Sequence, residues 1–109
     1  MGQMSTPDIA AERERHNKGA SAAAEFLKTM AHAGRLQILC HIAFENKSVG
    51  EIEKAIGQSQ SYVSGQLLKM RAEGLVEAQR VGRNVQYHIS DPRIMPILEA
   101  LHSLFLPPE

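Results

Sequence analysis

The stretch SQSYVSGQLLKM, residues 59–70, carries apolar side chains at Val63, Leu67 and Met70, the i, i+4, i+7 repeat of one helical face. Its other faces hold Ser61, Tyr62, Ser64, Gln66 and Lys69. These are short hydroxyls and amides with one cation, where a merely solvated helix usually carries long charged side chains. Ser59 is placed to cap this helix and Gly74 to end it after about Glu73. Upstream, Ser48 stands three residues before Glu51, the spacing of a capping box, and opens a short helix SVGEIEKAI that Gly57 closes. A helix, a three-residue connection and a second helix predict a helix-turn-helix.

Working outward, LVEAQR (75–80) and VQYHIS (85–90) alternate apolar and polar residues, and VGRN between them supplies Gly82 and Asn84 for a turn, so a β-hairpin is expected. Asp91-Pro92 then provides a cap and a first-turn proline for a last helix. Its stripe runs through Ile94, Ile97 or Leu98, Leu101, and Leu104 or Phe105. Pro96 is expected to move the start of that helix to about Met95 or to kink its first turn, and Pro107-Pro108 to end it. On the other side, RLQILCHIAF (35–44) is apolar on nearly every side and reads as a central, most buried helix; Gly34 marks a break before it. Residues 20–32, with Ala23, Leu27 and Met30 at helical spacing, form a first helix. Residues 1–18 read as a polar tail or short polar helix, residues 19–106 as the folded domain and residues 107–109 as a C-terminal tail. The expected fold is mainly α with a small β-hairpin, a winged helix-turn-helix.

At 109 residues the chain fits one domain, small enough that a dimer would add stability. It contains no apolar run long enough to cross a bilayer, and MGQMSTPDIAAERERHNK lacks the apolar core of a secretory signal, so a cytoplasmic protein with no membrane partner is expected. One cysteine excludes an intrachain disulfide and agrees with a reducing compartment. Twelve basic residues balance twelve acidic ones, so there is no global basic field. Between residues 69 and 93, however, five basic residues face three acidic ones, a local +2. There is no G-x-S-x-G, no phosphate-cradling glycine loop and no H-E-x-x-H, and an enzyme with catalytic residues is not expected.

A helix-turn-helix with a basic hairpin points to double-stranded DNA. The residues expected to contact it are Ser48, Gln60, Ser61, Tyr62, Ser64, Gln66 and Lys69 from the helical part, and Arg80, Arg83 and Asn84 from the hairpin. Gly65 would let the backbone approach closely, while Leu68 points partly outward and finds no role in this reading. Cys40 falls on the side of Leu36, Leu39 and Ala43, taken as the core side, where cysteine behaves as an inert small hydrophobe. Reactivity would require a cationic or polar neighbour, and His41 lies roughly a quarter-turn away.

Three segments carry a family resemblance: LKTMAHAGRLQIL (27–39), SVGEIEKAIGQSQSYVSGQLLKMRAEGLV (48–76) and QRVGRNVQYHIS (79–90). The chain resembles ArsR/SmtB-family transcriptional repressors from about residue 23 to residue 105. The resemblance implies a homodimer formed through the first and last helices and an inverted-repeat DNA operator. QILC (37–40) and the ending LHSLFLPPE most resemble the BigR/SqrR-like subgroup, which responds to sulfide and redox change through two cysteines of one subunit. Cys40 matches the first, and Leu106 stands at the second, so that bridge cannot form here. Within that resemblance, either Cys40 alone senses, through oxidation or persulfidation by a small oxidant or a reactive sulfur species, or the protein senses elsewhere. Metal-sensing relatives use cysteines at the start of the third helix or an Asp-x-His with later ligands. Here residues 48–52 hold no cysteine, Asp91 is followed by Pro92 and Arg93, and the later positions are Leu104 and Pro107, so no metal site is expected. The alternatives are a haem- or metal-responsive repressor of the same family, haem resting on Cys40 or a histidine, and a winged-helix protein-interaction module that binds no DNA.

Overall fold

A computed structural model describes residues 5–105 and divides into two compact units after Ala31. The first is a single helix, α1 (Thr6–Met30), of 25 residues. Ser5 caps it through a reciprocal box with Asp8, and Pro7 sits in the first turn, where a missing N–H costs nothing. Hydrogen bonds from Ser5 hold the Asp8 carboxyl below its ordinary range. The boundary expected between residues 18 and 19 is therefore absent: the polar segment and the first helix are one element. Pairs Glu12–Arg15, Glu12–His16, Glu14–Lys18 and Glu25–Lys28, three or four residues apart, support it where an apolar stripe does not.

The second unit begins with α2 (Ala33–Phe44), so the interruption falls at Ala31-His32 and Gly34 lies inside the helix. Its buried side is the stripe Arg35, Ile38, Leu39 and Ile42. Cys40, His41 and Phe44 are exposed, so α2 is less enclosed than its composition suggests. The capping box of Ser48 and Glu51 opens α3 (Val49–Ile56) and Gly57 closes it; Ser59 caps α4 (Gln60–Ala72) by accepting from the Tyr62 N–H at 3.2 Å. Ile52 of α3 and Val63, Leu67 and Met70 of α4 meet the α2 stripe in the core.

The end of α4 explains the run Gly74-Leu75-Val76. The Gly74 N–H donates to the Arg71 carbonyl at 3.0 Å and the Leu75 N–H to the Met70 carbonyl at 2.9 Å. Those two bonds, with Gly74 at φ +79°, make a Schellman motif that buries Leu75. Strands β1 (Val76–Val81) and β2 (Asn84–Ile89) follow as an antiparallel pair, Val81 opposite Asn84. The two-residue turn places Gly82 at positive φ and Arg83 at negative φ, the arrangement of a type II′ hairpin. Lys47 bridges Tyr87 by two backbone hydrogen bonds, tying the α2–α3 connection to the wing. Helix α5 (Ile94–Phe105) returns Ile94 and Leu98 to the core. Pro96 is its third residue, inside the first turn, where backbone N–H groups have no intrahelical acceptor, so it needs neither a kink nor a later start. The expectations for Leu106 and for the tail at 107–109 lie outside the described residues.

Candidate nucleic-acid interface

Helix α4 turns about 100° per residue, so opposite the buried Val63, Leu67 and Met70 stand Ser61, Gly65, Leu68 and Ala72, with Lys69 beside them. Ser61, Leu68 and Lys69 are exposed, as is Gln60 at the first turn; Ser64 is half-buried on one flank. Two expected contacts turn the other way. The Gln66 carbonyl oxygen accepts from Arg35 Nε at 3.0 Å, and Tyr62 lies against α2, where a β-carbon at Gly34 would collide with its hydroxyl and ring. Both sit on the flank of α4 nearest α2, so periodicity put them among the polar faces while packing drew them inward. A further bond, Arg35 Nη1 to Glu73 Oε2 at 2.8 Å, ties the end of α4 to the same guanidinium.

Arg35 is 8% exposed, and its role was not foreseen. The signal was present: Arg35, Ile38, Leu39 and Ile42 share one stripe, and a charge on a core stripe needs a partner in the facing element. Ser48 caps α3, its hydroxyl accepting from the Glu51 N–H at 3.2 Å. The Glu51 carboxylate returns to the Ser48 N–H at 2.9 Å, and these bonds hold it ionised below the ordinary range. A carboxylate there repels an approaching phosphate, which weighs against Ser48 as a contact.

Of the five basic residues between positions 69 and 93, two are paired inside the unit. Arg71 lies 3.7 Å from Glu77, and Arg93 Nη2 donates to Asp91 Oδ2 at 2.7 Å. That second pair, led by the side-chain hydrogen bond, lowers the Asp91 pKa and raises that of Arg93. Lys69, Arg80 and Arg83 are exposed and have no acidic partner among the described residues. Arg80 projects from β1 opposite Val85, and Arg83 occupies the turn itself beside the exposed Asn84. The sequence-predicted cations are thus the uncommitted ones.

Cys40 is exposed, on the side of α2 turned away from Ile38 and Ile42, which corrects its expected place in the core. Neighbouring atoms still push its thiol above the ordinary value through loss of solvent. Among the described residues no three His, Cys, Asp or Glu side chains gather as a metal site requires, and no helix is long and apolar enough to cross a membrane.

The sequence profile described as "Bacterial regulatory protein, arsR family" matches residues 32–78, from the start of α2 into β1. The biofilm growth-associated repressor of Agrobacterium fabrum is 35% identical over 92 residues, covering 84% of this chain and 79% of that protein. The transcriptional activator HlyU of Vibrio cholerae is 36% identical over 88 residues, covering 81% of this chain and 82% of its own. The solved reduced form of HlyU superposes with a TM-score of 0.78 at 34% identity, over 86% of this chain and 99% of that one. The homodimeric winged helix-turn-helix DNA-binding domain of Mb0332 from Mycobacterium bovis superposes with a TM-score of 0.66 at 26% identity, over 95% of this chain and 89% of that one. A capped helix-turn-helix, a wing carrying two exposed arginines and these relatives across most of the chain make it a member of the ArsR family of DNA-binding transcriptional regulators.

Proposed function

We propose that the protein represses transcription in the cytoplasm by binding an imperfect inverted-repeat operator as a homodimer, each α4 entering one major groove. The observation that carries this reading is the contrast between tied and untied cations on the second unit: among the described residues Lys69, Arg80 and Arg83 have no acidic partner, while Arg35, Arg71 and Arg93 do. Exposed Lys and Arg placed on a helix and its adjoining wing suit phosphates along one duplex face. A two-fold pair presents two such faces, so half-sites stand about one or two helical turns apart. Homodimerisation is supported by the apolar surface on the first and last helices: Leu27 is 48% exposed, Leu104 75% and Phe105 77%.

The test is a salt titration of duplex binding with fluorescence anisotropy. In the repressor reading log K falls steeply with log salt, and replacing Arg80 and Arg83 by alanine lessens the slope by about two per subunit. Binding that is absent or indifferent to salt favours a protein-interaction module. Light scattering gives the oligomeric state, and glutamate at both Leu104 and Phe105 is expected to yield monomers.

Release runs through Cys40 in this reading, and the exposure of its thiol favours access by an oxidant. Its thiolate would attack hydrogen peroxide to give a sulfenic acid and hydroxide, or attack the outer sulfur of a low-molecular-weight persulfide, breaking the donor S–S bond and releasing the donor thiol as Cys40 becomes the persulfide. Partial burial pushes the Cys40 thiol up, so its share of thiolate is smaller than that of a free thiol. Operator affinity of Cys40→Ser with and without each reagent decides the matter, since an unchanged response removes Cys40 from the mechanism. An absorbance spectrum with added haem tests the alternative effector.

A further inference from the structure

Leu68 is 71% exposed and stands at the middle of the outward face of α4, between Ser61 and Gly65 on one side and Ala72 on the other. Ser61, Gly65 and Ala72 are small, Arg71 on one flank is paired with Glu77 and Lys69 on the other has no acidic partner among the described residues, so the leucine is the longest apolar group the face presents. An isolated exposed leucine is ordinary on a protein surface. This one sits where the helix would meet base edges, and major-groove edges offer one apolar group, the 5-methyl of thymine. Hydroxyls at Ser61 and Ser64 are compatible with any base, whereas a branched aliphatic side chain favours a methyl and disfavours the exposed amino and carbonyl groups of a G·C pair. With Tyr62 and Gln66 drawn to α2, fewer polar side chains remain to read sequence, which leaves more of the discrimination to Leu68.

We infer that Leu68 is a specificity-determining residue that packs against a thymine methyl in each half-site. The inference rests on the DNA-binding reading above, and its test separates the two. Full-length protein selects duplexes from a random pool, and the enriched duplex is remade with deoxyuridine replacing single thymines symmetrically in both half-sites. At one position the exchange, which removes only the methyl, is expected to weaken wild-type binding about tenfold. Leu68→Ala, which folds normally because the side chain is outside the core, is expected to bind the thymine and deoxyuridine duplexes within twofold of one another. Selection with Leu68→Ala should also relax the preference at that position. If no duplex is enriched, the DNA-binding reading falls and this assignment with it. If a duplex is enriched but wild type and Leu68→Ala respond alike to every exchange, only the role of Leu68 is overturned. A change in oligomeric mass on Leu68→Ala would likewise overturn it, by assigning the leucine to a protein contact.

Discussion

Helices α1 and α4 are both largely polar on their outer faces, yet they use that polarity in opposite ways. On α1 the acids and bases answer one another along the helix, as in Glu12–Arg15, Glu14–Lys18 and Glu25–Lys28. On α4 and its wing Lys69, Arg80 and Arg83 have no such partner among the described residues, and the one paired cation is Arg71, which faces Glu77 of β1. The comparison explains how a chain of zero net charge can bind a polyanion. Acids pair with Arg15, Lys18, Lys28, Arg35, Lys47, Arg71 and Arg93, and among the described residues Lys69, Arg80 and Arg83, like Arg13 of α1 and Lys54 of α3, have no acidic partner. Total charge describes solubility; the pairing pattern describes recognition.

Reversing charge on α1 and on the wing in turn separates their two uses of polarity most strongly. Glutamate at both Arg80 and Arg83 is expected to lower duplex affinity about 100-fold or more in moderate salt, while glutamate at both Arg15 and Lys18 lowers it less than about twofold. Comparable losses would dissolve the distinction. The next effect concerns the tethered flank. Arg35→Met removes the bonds to Gln66 and Glu73 and should cost about 1–3 kcal/mol in urea unfolding, with weakened DNA binding because α4 loses its anchor. Gly34→Ala approaches the same anchor sterically, by driving Tyr62 from α2.

A smaller loss is expected from Gly74→Ala, about 1 kcal/mol, since a β-carbon is strained at φ +79°. The smallest effect is acidic. Asp91, Glu51 and Asp8 have folded pKa values below their unfolded ones, so the stability they contribute is present above the ordinary carboxylate pKa of about 4 and is lost as pH falls through the lower folded values. Asp91→Asn should flatten part of the acid limb of a melting-temperature profile below about pH 4. An unchanged limb would assign acid sensitivity elsewhere.

The elements defined by short-range rules were legible from sequence: the Ser48–Glu51 box, the Ser59 cap, the glycine after α4 and the two-residue hairpin turn are all local geometry. The continuous α1 was not, because charge pairs and helix propensity hold it without a stripe to read. Nor was the inward turn of Tyr62 and Gln66, which depends on Gly34 and Arg35 about thirty residues away. Cys40 was misplaced for a related reason: an apolar run does not say which neighbours will cover it. Pro96 looks like an obstacle in the sequence because the start of α5, two residues before it, is a boundary the sequence marks weakly.

One small stitch shapes how these cations are held. The Ser90 N–H donates to the Leu75 carbonyl and its hydroxyl to the Gly74 carbonyl, both at 3.0 Å, so the far end of the wing is sewn to the chain just beyond α4. Tilting either one drags the other with it. The exposed cations of α4 and of the wing are thereby carried on one connected frame, which Lys47 and Tyr87 fasten to the α2–α3 connection as well.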